Sequence, residues 1–194
     1  MNDAAKNIRA FLAIEPPAAI LDAAGILQET LKKEITGKVS WTKPQGNHLT
    51  LKFFGNINEN DKKNICAAAG KQIALASPLS LKIEKTGCFP DSKSPRVMWL
   101  GVSGDTDKLA VLQAQLEKAF EEIGFARENR RFHPHLTLGR IKDSRQAKGA
   151  VDALRRCEDY RAGEFICKEM FLFQSRLTPQ GAIYTKLEKF SFHC

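Results

Sequence analysis

Apolar and polar residues alternate with a period of two in several stretches of this chain and recur at helical spacing in others. Residues 79–84, Leu-Ser-Leu-Lys-Ile-Glu, alternate strictly, which predicts a half-buried strand. Leu109, Leu112 and Leu116 lie on one side of a helix, which predicts an amphipathic helix over 106–123. The same rules predict strands over 8–14, 39–41, 48–54, 79–89, 96–102, 135–141, 164–176 and 182–190. They predict helices over 18–35, 59–76, 106–123 and 144–156.

These elements follow the order β-α-β-α-β and then β-α-β-α-β-β, and no linker or low-complexity segment separates the two halves. Asn58 or Asn60 is a candidate cap for the second helix, and Asp105 is a candidate cap for the third. We therefore expect one α+β domain over 1–194, built of two small lobes. Mainly antiparallel sheets of the two lobes are expected to face each other across a central cleft, with the helices outside.

One four-residue sequence motif occurs twice in the chain. The segments 48–51 and 135–138 both read His-Leu-Thr-Leu, and they contain two of the four histidines. Alternate residues of a strand share a face, so His48 and Thr50 are expected to point one way and Leu49, Leu51 and Phe53 the other. His135 and Thr137 are expected to oppose Leu136 and Leu138 in the same manner. A single His-x-Thr is usually a solvated strand face, but its repetition favours an internal duplication that aims both pairs at one point.

Composition is that of an ordinary globular protein, with 43% hydrophobic and 27% charged residues. The net charge of +8 favours an anionic partner such as nucleic acid or a phosphorylated small molecule, although a generally basic surface would give the same value. The only apolar run near the start, 8–14, is short and contains Arg9, so we expect a strand there and neither a signal peptide nor a membrane span. The five cysteines include no Cys-x-x-Cys pair, which favours a reducing, cytoplasmic location.

Several stretches in this order resemble one known family. Besides the paired His-x-Thr motifs, they are Arg-Ala-Phe-Leu-Ala-Ile at 9–14, Val-Met-Trp-Leu-Gly-Val at 97–102, Phe-His-Pro-His-Leu-Thr-Leu-Gly-Arg at 132–140, and Leu-Phe-Gln-Ser-Arg-Leu at 172–177 followed by Gly-Ala-Ile-Tyr at 181–184. Together they resemble the two-histidine phosphoesterase superfamily over nearly the whole chain. The specific resemblance is to its bacterial and archaeal RNA 2',3'-cyclic phosphodiesterases, originally described as 2'-5' RNA ligases.

This resemblance implies a bilobal fold with a pseudo-two-fold axis and the motifs lining a central cleft. It implies metal-independent opening of a terminal 2',3'-cyclic phosphate on RNA, which leaves a 2'-phosphate, and in some members the joining or splitting of 2'-5' linkages in vitro. No cofactor and no metal are expected. The expected partner is an RNA or oligonucleotide with a cyclic phosphate end, and the expected state is a monomer.

The chemistry of the motif residues agrees with that reaction. Opening a cyclic phosphodiester needs a base for water and an acid for the leaving 3'-oxygen, and histidine serves either role because its unperturbed pKa is about 6.5. Thr50 and Thr137 are candidates to donate hydrogen bonds to the non-bridging oxygens. The residues alone leave the acid and base roles open; by resemblance, His48 is the general acid and His135 the general base.

Arg140 resembles the phosphate-side arginine of the family and is the remaining candidate for substrate binding. Strict strand alternation would turn it away from His135, although a strand end, a twist or the length of the side chain would bring it round. His133 precedes Pro134 and is expected to be structural or peripheral. Candidates to stack a base or to fill the core are Trp41, Phe53, Phe54 and Phe132, and candidates to contact flanking phosphates are Lys43, Lys52, Arg130, Arg131 and Lys142.

Two other function classes remain open from the sequence. A metallohydrolase would use His133, His135 and a third ligand, but no carboxylate or cysteine has convincing spacing, and activity in excess EDTA separates this class from the metal-free enzyme. A basic RNA-binding protein would bind a cyclic-phosphate oligonucleotide without turnover.

Overall fold

A computed structural model of the chain describes residues 7–143, 148–179 and 181–193. The strands are β1 (Ile8–Ile14), β2 (Val39–Trp41), β3 (Leu49–Ile57), β4 (Leu79–Phe89), β5 (Val97–Gly104), β6 (His135–Ile141), β7 (Arg161–Cys167), β8 (Glu169–Thr178) and β9 (Gly181–Ser191). The helices are α1 (Ala18–Glu34), α2 (Glu59–Ile73), α3 (Thr106–Glu122) and α4 (Ala150–Arg156).

All strand pairs are antiparallel, in the order β7-β4-β5-β6-β3-β1-β8-β9, and β2 adds to β6. Within the described strands, β3 and β6 meet at one pair of residues, Leu49 and Leu136. The sheet therefore consists of two antiparallel halves that meet where the two His-Leu-Thr-Leu motifs begin. The predicted α+β class, with mainly antiparallel strands and helices packed on them, is confirmed.

The helices cover one face of the sheet with their apolar stripes. Helix α1 buries Leu27 and Leu31 and packs on β7 and α4, whereas α3 buries Leu112 and Phe120 and packs on α2 and β4. Full burial of each such side chain contributes about 1.5–3 kcal/mol relative to exposure. A smaller aromatic cluster lies apart from this core and comprises Phe11, Ala13, Phe171, Phe173 and the partly buried Tyr184.

Helix α2 is capped at Asn58, one of its two candidate caps, and Asn58 forms a capping box with Asp61. The Asn58 side chain accepts from the Asp61 N–H at 2.9 Å, and the Asp61 carboxylate accepts from the Asn58 N–H at 2.9 Å. Asp105 occupies the predicted N-cap position of α3, but its side chain makes no capping hydrogen bond, and its carboxylate accepts instead from the Ser80 N–H at 2.8 Å. It therefore joins the start of α3 to β4.

Two predicted strand boundaries are also wrong. The single strand expected over 164–176 is two strands, because β7 pairs with β4 at one end of the sheet and β8 pairs with β1 in the other half. The first motif strand continues through Gly55, at φ +75°, to Ile57 because this segment stays paired with β1. Of the helix predicted over 144–156, residues 144–147 lie outside the described residues, and α4 covers the rest from 150.

Across the described ranges, no helix combines the length and the apolar character needed to cross a membrane.

Candidate active site

Both motif strands open onto one cleft of about 1200 Å³. His48 and Thr50 line it from the β3 side, and His135, Thr137 and Arg140 line it from the β6 side. The structure thus brings together all five candidate residues that the sequence singled out.

A β-bulge in β6 explains how Arg140 reaches this cleft. Thr137 pairs with Trp99 and Gly139 with Met98, so Leu138 is an extra residue in the ladder. Such a bulge shifts the alternation of side chains by one position. Arg140 pairs with the residue two before Trp99, so it shares the face of Thr137. The bulge therefore overrides the strict alternation that would have turned Arg140 away from His135.

The same irregularity occurs in β3, at the matching position of the first motif. Thr50 pairs with Ala13 and Lys52 pairs with Leu12, so Leu51 is the extra residue. Each motif therefore carries its bulge at its last leucine. The duplication extends beyond the repeated residues to the backbone that presents them.

The β3 bulge overturns the face that strict alternation predicted for Phe53. Phe53 was expected to share the core face of Leu51, but its side chain is 50% exposed and lines the cleft. Lys52, a candidate phosphate contact from its charge, also lines the cleft, but it is only 4% exposed and forms a buried ion pair with Glu117 at 2.7 Å. Phe53 in the first motif stands where Arg140 stands in the second, three residues after the threonine.

Each motif histidine is oriented by a backbone carbonyl two residues before it. The Nδ1 of His48 lies 2.8 Å from the Gly46 oxygen, and the Nδ1 of His135 lies 2.7 Å from the His133 oxygen. A carbonyl only accepts, so Nδ1 carries the hydrogen in both rings. In the neutral rings Nε2 is then the basic nitrogen, free to take a proton or, once protonated, to give one.

Aromatic side chains hold the imidazole rings in place. Phe11 stacks on His48 with centroids 4.4 Å apart, and Tyr184 meets the same ring edge-on at 4.9 Å. Phe89 meets His135 edge-on at 5.1 Å. These contacts restrict both rings and remove water from one side of each.

Burial lowers the pKa of both motif histidines. The pKa of His48 falls from 6.5 to about 4 because desolvation outweighs the hydrogen bond to Gly46 and the charge of Glu15. Desolvation also lowers the pKa of His135, against its hydrogen bond to His133, and the positive charge of Arg140 lowers it further. Both rings are therefore neutral near pH 7 in the unliganded protein.

The depressed pKa of His48 predicts acid sensitivity of the fold. Between about pH 4 and 6.5 the unfolded chain binds a proton at His48 that the folded chain does not, so the free energy of unfolding decreases as pH falls through this window. One pKa unit corresponds to about 1.4 kcal/mol, so the contribution is roughly 3 kcal/mol. Urea unfolding near both ends of the window is expected to show a smaller loss for His48→Gln than for the wild type. Equal losses in the two proteins would contradict the assigned shift.

Positive charge dominates the walls of the cleft. The arginines that line it are Arg9, Arg96, Arg130, Arg131 and Arg140, all exposed. Guanidinium groups bind phosphate oxygens with paired hydrogen bonds, so the cleft suits an anionic ligand. Arg130 and Arg131 were candidates from the sequence, whereas Lys43 and Lys142 are not among the residues that line the described cleft.

Sequence reasoning missed several residues that line the cleft. Arg9 and Phe11 arrive from β1 and Tyr184 from β9, on strands that meet the motif only through sheet pairing. Their signal was the alternation of Arg-Ala-Phe-Leu-Ala-Ile, in which Arg9 and Phe11 share a face. What the alternation does not reveal is which face is turned to the cleft.

His133 lines the cleft, packs against Phe89 at 5.9 Å and orients His135 through its carbonyl. Among the described residues, no group of three or more His, Cys, Asp or Glu side chains is arranged to hold a metal ion. The donor set that a metallohydrolase built on His133 and His135 would need is therefore not assembled in this part of the chain.

Comparison with known proteins places the chain among a defined group. The profile of the 2'-5' RNA ligase superfamily matches residues 41–178. A protein of Methanothermobacter thermautotrophicus named RNA 2',3'-cyclic phosphodiesterase is 33% identical over 184 residues, covering 95% of this chain and 98% of the relative. A protein of the same name from Aquifex aeolicus is 35% identical over 192 residues, covering 95% and 97%.

Solved structures show the same fold. A crystal structure of a Thermus thermophilus protein superposes with a TM-score of 0.77 at 27% identity, covering 95% of this chain and 98% of that one. The apo crystal structure of Escherichia coli LigT superposes with a TM-score of 0.76 at 24% identity, covering 97% and 99%. LigT has also been crystallised with 3'-AMP.

Proposed function

This chain belongs to the 2'-5' RNA ligase superfamily, and from this premise we propose that it hydrolyses the terminal 2',3'-cyclic phosphate of RNA to a 2'-phosphomonoester without a metal ion. The curated relatives, similar over nearly the whole chain, support the reaction itself. The observation that carries the mechanism is the matched pair of histidines in one cleft, each with Nδ1 bound to a carbonyl and Nε2 available.

In the proposed mechanism His135 Nε2 removes a proton from a water molecule, and the water oxygen bonds to phosphorus. The bond from phosphorus to the 3'-oxygen breaks, and His48 Nε2 gives its proton to that oxygen. The products are a 2'-phosphate and a free 3'-hydroxyl, so atoms and charges balance. Two imidazoles from opposite motif strands suit such an in-line displacement.

Binding of the phosphate is assigned to the side chains that follow the histidines. Thr50 and Thr137 donate their hydroxyl hydrogens to the non-bridging oxygens, where charge builds in the transition state. Arg140 pairs with the same oxygens. Phe53, exposed at the matching position of the first motif, offers a ring on which a base stacks.

Water is the acceptor in hydrolysis, and a 5'-hydroxyl of a second RNA is chemically equivalent to it. Attack by that hydroxyl on the cyclic phosphate forms a 2'-5' linkage, and the reverse step splits it. We therefore include reversible 2'-5' joining in vitro in the proposal.

Among the described residues, Cys66, Cys88, Cys157 and Cys167 are free thiols, which supports the proposed cytoplasmic location.

The pH dependence of kcat/KM is expected to be bell-shaped, with its centre below about pH 6.5. The reaction needs one neutral and one protonated imidazole, and both pKa values are lowered in the free protein. An anionic phosphate raises both pKa values when it binds, so the kcat profile is expected to lie at higher pH than that of kcat/KM. The limbs belong to the histidine pair as a whole. Steady-state rates across this range test the expectation, and a monotonic kcat/KM profile would contradict it.

RNA binding is expected to weaken as salt increases, with log affinity falling about linearly with log salt concentration. The reason is the arginine-lined cleft, whose contacts with phosphates release bound counterions. Titration of a fluorescent oligonucleotide at several salt concentrations measures the slope. A flat response would indicate a small-molecule substrate with few backbone contacts.

Turnover of a cyclic-phosphate oligonucleotide in excess EDTA tests the proposal against its alternatives. The proposed enzyme retains its full rate after chelation, whereas loss of activity that returns with added metal would identify a metallohydrolase. Binding of the oligonucleotide without product would identify an RNA-binding protein instead.

A further inference from the structure

Two buried glutamines stand on largely apolar helix faces, and Gln113 lies beside a second buried polar residue, Glu117. Gln28 of α1 is 1% exposed and Gln113 of α3 is 9% exposed. The two helices have 17 residues each, and each follows a strand of a different repeat. A buried amide is costly unless it is hydrogen-bonded, so its partners identify what it serves.

Gln28 uses both amide hydrogens on backbone carbonyls. Its Nε2 donates to the Leu138 oxygen at 2.6 Å and to the Thr42 oxygen at 2.8 Å. Leu138 is the extra residue of the β6 bulge, and Thr42 lies in the segment that leads to His48. The Thr42 N–H also donates to the Leu138 oxygen at 3.0 Å, so the Gln28 side chain reinforces an existing link between the bulge of the second motif and the entry of the first.

Gln113 makes the reciprocal arrangement. Its Nε2 donates to the oxygen of Leu51, the extra residue of the β3 bulge, at 3.3 Å, and to Glu117 Oε1 at 3.2 Å. The other carboxylate oxygen of Glu117 accepts from Lys52 Nζ at 2.7 Å and from the Glu128 N–H at 3.3 Å. This network joins the bulge of the first motif to the segment that leads to His135.

We propose that Gln28 and Gln113 are positioning residues that hold the two bulges and so keep the side chains after them turned into the cleft. The proposal rests on the proposed function, because its consequence is the placement of phosphate-binding groups. The extra residue of each bulge is left out of the ladder with β5 or β1, so its carbonyl takes donors from other elements. The Leu138 oxygen accepts from Gln28 and also from the Thr42 N–H, and the Leu51 oxygen accepts from Gln113. When the glutamine donor is removed, the bulge is less firmly held, and a return to regular register turns the following side chains to the opposite face.

The thin connection between the motif strands makes such support necessary. β3 and β6 are paired at Leu49 and Leu136, so this ladder alone hardly fixes where Arg140 lies relative to the first motif. Chemistry on one phosphorus depends on that placement, since a displacement of about 1 Å costs on the order of 10²-fold in rate. The two glutamine networks cross between the repeats and add a constraint on the bulges that carry the phosphate-binding side chains.

Replacement of each glutamine by methionine tests the proposal, because methionine keeps the length of the side chain and removes the donor. Gln28→Met and Gln113→Met are each expected to lower kcat/KM about 10- to 100-fold. The matched control is Gln115→Met, an exposed position on α3, which is expected to keep the wild-type rate. If both buried variants stay within about twofold of the wild type, the proposal is wrong.

A double-mutant cycle with Arg140→Met separates positioning from general destabilisation. If Gln28 acts through the bulge that aims Arg140, Gln28→Met changes the rate of the Arg140→Met protein by less than about twofold. A loss as large as in the wild-type background, together with a lowered melting temperature, would show that Gln28 only stabilises the fold and would overturn the proposal.

A titratable variant supplies an independent check. A buried carboxyl has a raised pKa, so Gln28→Glu carries a donating O–H at acidic pH and loses it as pH rises. The rate of Gln28→Glu relative to the wild type is expected to recover as pH falls. The relative rate of Gln28→Met is expected to stay low over the same range. The absence of this difference would count against the hydrogen bond as the cause.

Affinity for adenosine 2'-phosphate, measured by calorimetry, distinguishes failure of this proposal from failure of the proposed function. Gln28→Met is expected to weaken binding about tenfold in the wild-type background and hardly at all beside Arg140→Met. Phosphate binding that follows this pattern without any turnover by the wild type would contradict the proposed reaction and support the positioning role. Turnover by the wild type, with affinity and rate unchanged in the glutamine variants, would support the proposed reaction and contradict the positioning role.

Discussion

Replacing either His48 or His135 with alanine is expected to lower kcat/KM on a cyclic-phosphate oligonucleotide by about 10²–10⁴-fold. General acid or base catalysis typically contributes that much, and each ring is held with Nε2 as its free nitrogen. Steady-state kinetics with the purified variants measure the loss. Melting temperatures are recorded beside the rates, because His48 packs against Phe11 and Tyr184 and its removal leaves a space in that cluster.

The chain offers two matched histidine controls. His193→Ala changes an exposed residue near the end of the chain and is expected to leave the rate unchanged. His133→Ala changes a cleft residue whose backbone carbonyl, which the substitution keeps, is what orients His135. Its effect is expected to be much smaller than that of His135→Ala. A His48→Ala or His135→Ala protein with near wild-type turnover would remove that residue from the mechanism.

A substrate whose leaving group needs no proton is expected to rescue the variant that lacks the general acid. With a nucleoside phosphodiester that releases 4-nitrophenolate, His48→Ala should recover most of its lost rate, on the order of 10²-fold or more, and His135→Ala should not. The physical reason is that nitrophenolate leaves as a stable anion, so only the base remains essential. Release of nitrophenolate, followed by its absorbance, gives the rates directly.

The outcome of this rescue also decides the two roles. The histidines have the same local geometry, so their assignment as acid and base comes from the family resemblance and not from the contacts. Rescue of His135→Ala in place of His48→Ala would keep the mechanism and exchange the roles. Rescue of neither variant would indicate that both imidazoles only bind the phosphate.

The sequence predicted most of the elements because their signals are local. The strands at 8–14, 39–41 and 135–141 have the predicted bounds, and the helices α1 and α3 differ from prediction by one residue at the end. The repeated motif located the candidate site for the same reason, because the alternation in His-Leu-Thr-Leu predicts a strand without reference to the rest of the chain. The single bilobal domain and the monomer stay predictions.

Features that depend on pairing between distant strands were not predictable. The bulges at Leu51 and Leu138 exist only relative to β1 and β5, so no local pattern indicated that Phe53 and Arg140 turn into the cleft. The crossing at Lys168 from β7 to β8 was hidden for the same reason. A weaker signal was available for Gln28 and Gln113, because each interrupts an apolar helix stripe.

Identification of the product isomer tests the central claim most directly. An oligonucleotide with a 2',3'-cyclic phosphate end is incubated with the protein in excess EDTA, and phosphorus NMR distinguishes the two monoesters that ring opening can form. The proposed mechanism expels the 3'-oxygen and predicts a 2'-phosphate, formed by the wild type and lost in His48→Ala and His135→Ala. A 3'-phosphate would mean that the 2'-oxygen leaves and that the substrate lies reversed in the cleft, and an unchanged cyclic phosphate would contradict the proposed reaction.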